Sequence, residues 1–189
     1  ASDSELLARS QGLHDRLQRM AADLPQVQGL FIHGADSRSL GNSRVHPPPR
    51  EIDYADREWY QAHRSGGVGV FVTQRIVSRM TGEPVFDISR RRELPGGTFA
   101  GSVHVSLRPQ YLTDFYQELA TTTPGLHMVV LRADGNMLAR WPAAVTADPP
   151  PADSALMQQL RAGIASGDSE GPSPFDGVER LRSFRKLGN

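Results

Sequence analysis

The sequence predicts an α+β protein, with a helix at the N-terminus followed by two modules built on antiparallel sheets. Three patterns support this fold class. Leucine and methionine recur at intervals of three, four and seven residues over residues 3–24, as on one face of a helix. Segments rich in valine, isoleucine and phenylalanine follow, separated by turns that contain glycine. The order strand, hairpin and helix then recurs after Gly125, so we expect two related units.

The N-terminal helix is expected over residues 3–24, because Pro25 ends it. Ser2 and Glu5 have the spacing of a capping box, which favours a true helix start; a longer helix cut at residue 1 is the alternative. The apolar seam is narrow, as in a coiled coil. It fits a dimer contact and packing on the protein's own sheet equally well. The seam residues are Leu6, Leu13, Leu17, Met20 and Leu24.

The first module is predicted to begin with a strand over 27–33 and a weaker strand over 40–45. A stiff connector, His46-Pro-Pro-Pro49, then leads to a short helix over 55–64. Three longer strands come next, and the turns between them indicate hairpins and therefore an antiparallel sheet. These strands are expected over 68–77, 84–92 and 98–107, and a helix with an apolar face over 109–120.

The second, smaller module is predicted from a hairpin signal at Ala133-Asp-Gly135. Strands are expected on both sides of this turn, over 127–132 and 136–141. A helix over 154–165 and a final strand over 180–186 complete the module.

Composition limits the class of protein. The 189 residues carry 21 basic and 21 acidic side chains, and this balance argues against a general binder of nucleic acid or anionic membranes. The chain has no cysteine, which excludes disulfide frameworks, thiolate metal sites and cysteine nucleophiles. No apolar run reaches the length of a membrane span. The sequence therefore fits either a free soluble domain or a soluble piece from between two spans.

Motifs of catalytic and cofactor sites are absent from the sequence. It contains no His-Glu-x-x-His and no phosphate-binding glycine loop followed by lysine. The six histidines are scattered singly, without the spacing of metal ligands. We therefore predict no metal, no cofactor and no enzymatic activity for this segment.

Short motifs in a characteristic order resemble a known family. They are Asp-Arg-Glu-Trp-Tyr-Gln-Ala-His at 56–63, Ser-Arg-Met-Thr-Gly at 78–82, Ile-Ser-Arg-Arg at 88–91, Gly-Thr-Phe-Ala-Gly at 97–101, Leu-Arg-Ala-Asp-Gly at 131–135 with Ala-Arg-Trp-Pro at 139–142, and Asp-Gly-Val-Glu-Arg-Leu-Arg-Ser-Phe-Arg at 176–185. Together they resemble the double Cache sensors, tandem PAS-like domains that precede histidine kinase or diguanylate cyclase (GGDEF) modules in proteobacteria. The resemblance covers nearly the whole chain.

The resemblance implies a periplasmic segment of an inner-membrane receptor, flanked by transmembrane helices. Residues 1–24 are then a long signalling helix that forms a homodimer, 25–124 a membrane-distal PAS-like domain that binds the ligand, and 125–189 a membrane-proximal one. In the family a last strand follows the Ser-Phe-Arg segment. Since the chain ends at Asn189, we expect that strand to be missing or short and the proximal sheet to be incomplete.

The strongest local signal for a ligand site is Arg57, Trp59 and Tyr60, which match the Arg-x-Trp-Tyr element of amino-acid-binding double Cache domains. A guanidinium offers a planar fork to a carboxylate, and an indole face accepts a cation or an apolar body. The alternative is that Trp59 and Tyr60 are core residues and Arg57 makes a surface ion pair. The predicted ligand-binding residues are Arg57, Trp59, Tyr60, His63, Phe71, Thr73, Arg75, His104 and Ser106.

Two departures from the family pattern bear on the ligand. Ile76 stands where the family has a tyrosine, and Ser106 stands where it has the aspartate that binds the ligand's amine. Without that carboxylate, a buried α-ammonium group would lack a charged partner. Because arginines and histidines are retained nearby, we predict a small carboxylate or another small anion ahead of an α-amino acid, so the expected partner is a carboxylate or an amino-acid-like small molecule.

Three functions are compared on these grounds. The leading one is sensing of a small solute, with the signal passed along the N-terminal helix to a kinase or cyclase module. The others are a structural module that only mediates dimerisation, and a soluble periplasmic enzyme with His63 or His104 as general base. A solute held beside Arg57 favours sensing, and turnover of a substrate favours the enzyme.

Overall fold

In a computed structural model of the chain, residues 1–143 and 150–187 are described. Their contacts define two units, residues 1–115 and 116–189, and each unit is described by itself. The first unit is built on one antiparallel sheet. The described part of the second contains two separate two-stranded antiparallel sheets. The predicted α+β class with antiparallel sheets is therefore confirmed.

The sheet of the first unit has the strand order β2-β1-β6-β5-β3, with β4 also paired to β5. Its long strands are rich in branched and aromatic side chains, which favour a pleated, half-buried surface. The strands are β1 (Val27–His33), β2 (Ser39–Asn42), β3 (Val70–Val72), β4 (Ile76–Val77), β5 (Pro84–Glu93) and β6 (Phe99–Leu107).

The strand predicted over 68–77 is broken into β3 and β4, and Thr73 explains the break. The Thr73 hydroxyl accepts a hydrogen bond from the Asp87 backbone N–H at 2.9 Å, and it donates one to the Gln74 carbonyl at 2.8 Å. The Thr73 side chain thus bonds an N–H group that a continuous ladder would give to a backbone carbonyl.

The N-terminal region differs from the single helix predicted over 3–24. It contains α1 (Asp3–Ala8) and α2 (Ser10–Ala21), separated at Arg9, whose φ of −110° and ψ of 19° depart from helical geometry. The capping box of Ser2 and Glu5 is present, as predicted. Both helices lie against the sheet: α1 contacts β2, and its Asp3 pairs with Arg92 at 3.3 Å, while α2 contacts β1 and β2.

Helix α2 packs on the protein's own sheet through part of its apolar seam. A Cβ placed on Gly41 would lie 2.6 Å from a Leu13 methyl group, so this glycine permits a close approach of helix and strand. Leu17 is buried, and His14 Nδ1 is 2.8 Å from the Asn42 carbonyl oxygen. Met20, further along the seam, is exposed.

Helix α3 (Glu58–Ser65) covers the opposite face of the sheet and confirms the short helix predicted over 55–64. Its buried side chains are Trp59, Tyr60 and His63, which share one helix face because they are three or four residues apart. Gly41 pairs with Ile32, and side chains alternate along a strand. The α2 contact and the Phe31 and His33 side chains therefore lie on opposite faces.

Helix α4 (Pro109–Thr122) confirms the prediction over 109–120 and spans the boundary between the units in sequence. In the second unit, β7 (Met128–Leu131), β8 (Met137–Trp141) and α5 (Ala155–Arg161) agree with the predicted elements. Strand β10 (Glu179–Arg185) was also predicted, whereas its partner β9 (Ser166–Pro172) was not. The expectation that the proximal sheet is incomplete concerns the end of the chain at Asn189, and this residue lies outside the described residues.

None of the helices in the described ranges combines the length and apolar character that crossing a bilayer requires.

Candidate ligand-binding site

A small cavity of about 20 Å³ lies in the first unit, between the sheet, the start of α3 and the segment 76–80. This volume holds about one water molecule. Its walls combine aromatic and aliphatic side chains with two arginines, one aspartate and two histidines. The lining residues are Phe31, His33, Tyr54, Arg57, Trp59, Ile76, Ser78, Arg79, Met80, Val85, Asp87, His104 and Ser106.

Alternation along three neighbouring strands places the floor of the cavity on one face of the sheet. Strand β1 contributes Phe31 and His33, β5 contributes Val85 and Asp87, and β6 contributes His104 and Ser106. The strand register puts Phe31 opposite His104, and Asp87 opposite Ser106. Residues two apart on a strand point to the same face, so each strand supplies a pair.

The cation at the cavity wall is Arg57, which occupies the N-cap position of α3 with extended backbone angles. Its guanidinium donates a hydrogen bond to the Val77 carbonyl at 2.8 Å, and no carboxylate of the described residues is within ion-pair distance of it. Burial lowers the pKa of Arg57, as does the positive charge of Arg79. Arg57 therefore keeps a half-buried positive charge that the described residues leave without a bonded anion.

The second arginine, Arg79, is already neutralised. It makes two hydrogen bonds to the Asp56 carboxylate, at 2.7 and 2.6 Å, and one to the Asp53 carbonyl at 2.5 Å. These bonds and the one from Arg57 to Val77 join the covering segment 76–80 to the residues at the start of α3.

The acid of the cavity is Asp87, which is only 4% exposed. Its carboxylate accepts a hydrogen bond from Ser106 Oγ on the neighbouring strand. Burial raises the pKa of Asp87 to about 6, while the Ser106 hydrogen bond and the charge of Arg57 act in the opposite direction. Ser106 stands at the position where the family has an aspartate. The expectation that the site lacks an acid is wrong, because β5 supplies one directly opposite.

Two buried histidines form the deepest polar part of the cavity. The rings of His33 and His104 stack with centroids 4.8 Å apart, and the Trp59 ring lies 4.9 Å from His33 and 4.7 Å from His104. Burial lowers the pKa of His104 to about 3, and the charges of His63 and Arg57 act in the same direction. Both rings are therefore neutral at physiological pH, since the pKa of His33 is also well below its ordinary value.

No protein-family model and no curated protein sequence matches the chain. Solved structures do match it. The extracellular domain of rpHK1S-Z16, a protein assigned as a histidine kinase, is 29% identical, with a TM-score of 0.77 over 97% of this chain and 77% of that one. The ligand-binding domain of the Pseudomonas fluorescens chemoreceptor CtaA, in complex with L-serine, is 18% identical, with a TM-score of 0.55 over 95% of this chain and 81% of that one.

By its structure, the chain has the fold of the Cache-like sensor domains of histidine kinases and chemoreceptors.

This confirms the family resemblance of the sequence motifs. A further sensor domain, the extracellular domain of mmHK1S-Z3, has a TM-score of 0.66 over 97% of this chain and 78% of that one at 13% identity. At identities of 13% and 18% the likeness concerns the fold alone. The division of this sensor domain into two PAS-like modules stays a prediction.

Four of the nine predicted site residues line the cavity of the sensor domain: Arg57, Trp59, His104 and Ser106. Trp59 is 1% exposed, so it serves both the core and the cavity wall. Tyr60 does not line the cavity; its hydroxyl donates to the Ala35 carbonyl at 2.7 Å, and its ring packs against Phe99.

The other four predicted residues lie outside the cavity lining. His63 Nε2 is 2.9 Å from Ser89 Oγ, in the buried layer under α3. Phe71 packs against the aromatic core, and Thr73 is occupied by the backbone contacts described above. Arg75 is exposed and borders a separate surface hollow beside Arg108.

Sequence analysis missed His33, Tyr54, Arg79 and Asp87. One signal was available for His33: Phe31 and His33 alternate with Leu30 and Ile32, which places them on one face of a strand. Nothing comparable existed for Asp87, because its place beside Ser106 depends on the register between two strands.

In the described ranges, histidine and carboxylate side chains nowhere gather in threes at a spacing that would hold a metal ion.

Proposed function

We propose that the chain is the extracytoplasmic ligand-binding segment of a transmembrane receptor, and that a small carboxylate binds in the cavity on the Arg57 guanidinium. The observation that carries this proposal is the half-buried charge of Arg57, which no described carboxylate pairs with. A guanidinium in such a place binds a carboxylate through two parallel hydrogen bonds, and exclusion of water strengthens them.

An amino group on the ligand is compatible with the same cavity. Asp87 supplies the carboxylate that an ammonium group would need, and Ser106 fixes its orientation. Structural neighbours are described in complex with L-serine and with GABA, which both carry an amino and a carboxylate group. The proposed ligand class is therefore a small carboxylate, with or without an amino group.

Ligand entry requires the segment 76–80 to move, because the cavity holds only about one water molecule. A ligand carboxylate on Arg57 would compete with the Val77 carbonyl for the guanidinium. The ligand would thus favour one of two positions of this segment by its different affinity for them.

The remaining receptor features are part of the same proposal. Residues 25–124 are the membrane-distal domain, residues 125–189 the membrane-proximal domain, and the N-terminal helices pass the signal toward a transmembrane span in a periplasm-facing inner-membrane protein. Of the helical seam, Met20 and Leu24 remain exposed and are available for a homodimer contact. The output module is a kinase or a diguanylate cyclase.

Isothermal titration calorimetry of the 189-residue chain with small carboxylates and amino acids tests the site. Arg57→Gln should weaken binding roughly 10-fold to 100-fold, since hydrogen bonds to a charged group contribute about 1.5–3 kcal/mol. Arg75→Gln is the matched control, because Arg75 is an exposed arginine outside the cavity. Equal binding by Arg57→Gln and the unmodified chain would refute the site. Absence of binding by every compound would favour the dimerisation module.

A further inference from the structure

The polar groups of the cavity are Arg57, Asp87 and the pair of histidines His33 and His104. The proposed site gives a role to Arg57 and Asp87 and none to the histidines. Arg57 would take the carboxylate of the ligand, and Asp87 is available to an amino group. His33 and His104 line the same cavity from β1 and β6.

The two histidines are buried without the hydrogen bonds that buried polar groups normally make. His33 is 1% exposed, and in the described part of the chain neither of its ring nitrogens has a hydrogen-bond partner. His104 is 8% exposed, and the same holds for its Nδ1 atom. The buried His63, outside the cavity, has one ring nitrogen at 2.9 Å from Ser89 Oγ, while its Nδ1 also has no partner in the described part of the chain; His33 differs in that both of its ring nitrogens lack one.

Leaving a buried donor or acceptor without a partner costs about 1–3 kcal/mol. A binding site keeps such groups when a ligand completes them. The aromatic surroundings cannot do so: Phe31, Tyr54 and Trp59 present ring faces and edges to the two imidazoles, with centroids 4.6–5.1 Å away in the contacts His33–Tyr54, His33–Trp59, His104–Trp59 and Phe31–His104.

The charge state of the pair limits the chemistry that it recognises. Burial is the main reason that both rings are neutral; the charge of His104 also lowers the pKa of His33, and the charges of His63 and Arg57 also lower the pKa of His104. Each neutral imidazole offers one N–H donor and one nitrogen acceptor. The stacked pair therefore matches a group that both donates and accepts hydrogen bonds and carries no charge.

We propose that His33 and His104 determine ligand specificity by hydrogen-bonding an uncharged polar group, such as a carboxamide, at the end of the ligand away from its carboxylate. This inference rests on the carboxylate site at Arg57. It narrows the ligand class to small carboxylates with an uncharged donor–acceptor group, and it disfavours aliphatic carboxylates of the same shape.

Two pairs of compounds with matched shapes test this preference on the unmodified 189-residue chain by calorimetry. Succinamate is compared with 4-methylpentanoate, and L-asparagine with L-leucine; in each pair a carboxamide replaces an isopropyl group. The amide of at least one pair should bind roughly tenfold tighter than its apolar counterpart, the effect of about 1.4 kcal/mol in hydrogen bonding. Equal or tighter binding of both apolar compounds overturns the inference and leaves the Arg57 site standing.

Variants then assign the preference to the histidines. His33→Phe and His104→Phe should each bring the affinity ratio of the pair toward one, whereas His63→Phe, a buried histidine outside the cavity lining, should keep it. Retention of the full ratio in both cavity variants overturns the inference. If none of the four compounds binds, this inference fails, and the Arg57 site is judged on the wider calorimetric series. If binding ignores Arg57→Gln, the proposed function fails and this inference fails with it.

Discussion

Replacing Asp87 with asparagine should stabilise the protein at neutral pH and change its stability little at pH 4. The Asp87 carboxyl group is buried, and its pKa is raised from 3.8 to about 6. A group whose pKa is higher in the folded state stabilises the fold below its unfolded pKa, and that contribution is lost as pH rises through the folded pKa. For Asp87 the loss occurs between about pH 4 and pH 6.

The magnitude follows from the size of the shift. A difference of about two units corresponds to about 3 kcal/mol, since one pKa unit equals about 1.4 kcal/mol. Asparagine keeps the shape of the side chain, and its carbonyl oxygen can still accept the Ser106 hydrogen bond. Asp87→Asn should therefore raise the free energy of unfolding by up to about 3 kcal/mol above pH 6, or roughly 6–12 °C in Tm for a chain of this size.

The measurement is urea denaturation of both proteins at half-unit steps from pH 4 to pH 8. The quantity of interest is the difference in unfolding free energy, because titration of the other groups largely cancels in it. Asp114→Asn, at an exposed position on α4, controls for the loss of one carboxylate. A difference that stays constant from pH 4 to pH 8, or that falls as pH rises, would show that Asp87 is not a buried group with a raised pKa.

Three further predictions concern the same unit. His104→Phe should lose less stability than the unmodified chain as pH falls from 6.5 toward 4, because the pKa of His104 is lowered to about 3 in the folded state. Urea denaturation of both proteins at the two pH values measures this difference. An equal loss of stability in both proteins would contradict it. Gly101→Ala should cost about 2 kcal/mol or more of stability, since the φ of Gly101 is +105° and a Cβ would lie 2.0 Å from the His33 carbonyl oxygen. The matched control Gly82→Ala, with a φ of +74° and open space around the position, should cost about 1 kcal/mol. Equal thermal unfolding of the two variants would be inconsistent with this geometry. Tyr60→Phe should cost about 1 kcal/mol, because the Ala35 carbonyl loses its hydrogen bond, and no loss relative to a Tyr111→Phe control at an exposed position would argue against that contact.

Much of the first unit could be predicted from its sequence because local composition and spacing agree with the fold. Branched and aromatic residues mark β5 and β6, and the three-and-four spacing of Trp59, Tyr60 and His63 marks the buried face of α3. Where local signals are weak, prediction failed. Strand β9 consists of serine, glycine, aspartate, glutamate and proline, which do not favour strands, and it is held by pairing with β10.

The site was predictable only in part, for a reason of geometry. Arg57 and Trp59 were found from one short motif, and Ser106 from its position in the family pattern. The partnership of Asp87 with Ser106 depends on the register between β5 and β6, and a shift of one residue would turn Asp87 to the other face. Register is set by the whole sheet, so neither strand alone reveals that the acid is retained.

The most direct test of the carboxylate site is a crystal structure of the chain with the tightest-binding carboxylate from the calorimetric series. We predict that both carboxylate oxygens lie within hydrogen-bond distance of the Arg57 guanidinium, and that the bond from Arg57 to the Val77 carbonyl is broken or lengthened. A ligand bound in the surface hollow at Arg75 and Arg108, with the Arg57 bond to Val77 unchanged, would contradict the proposed site.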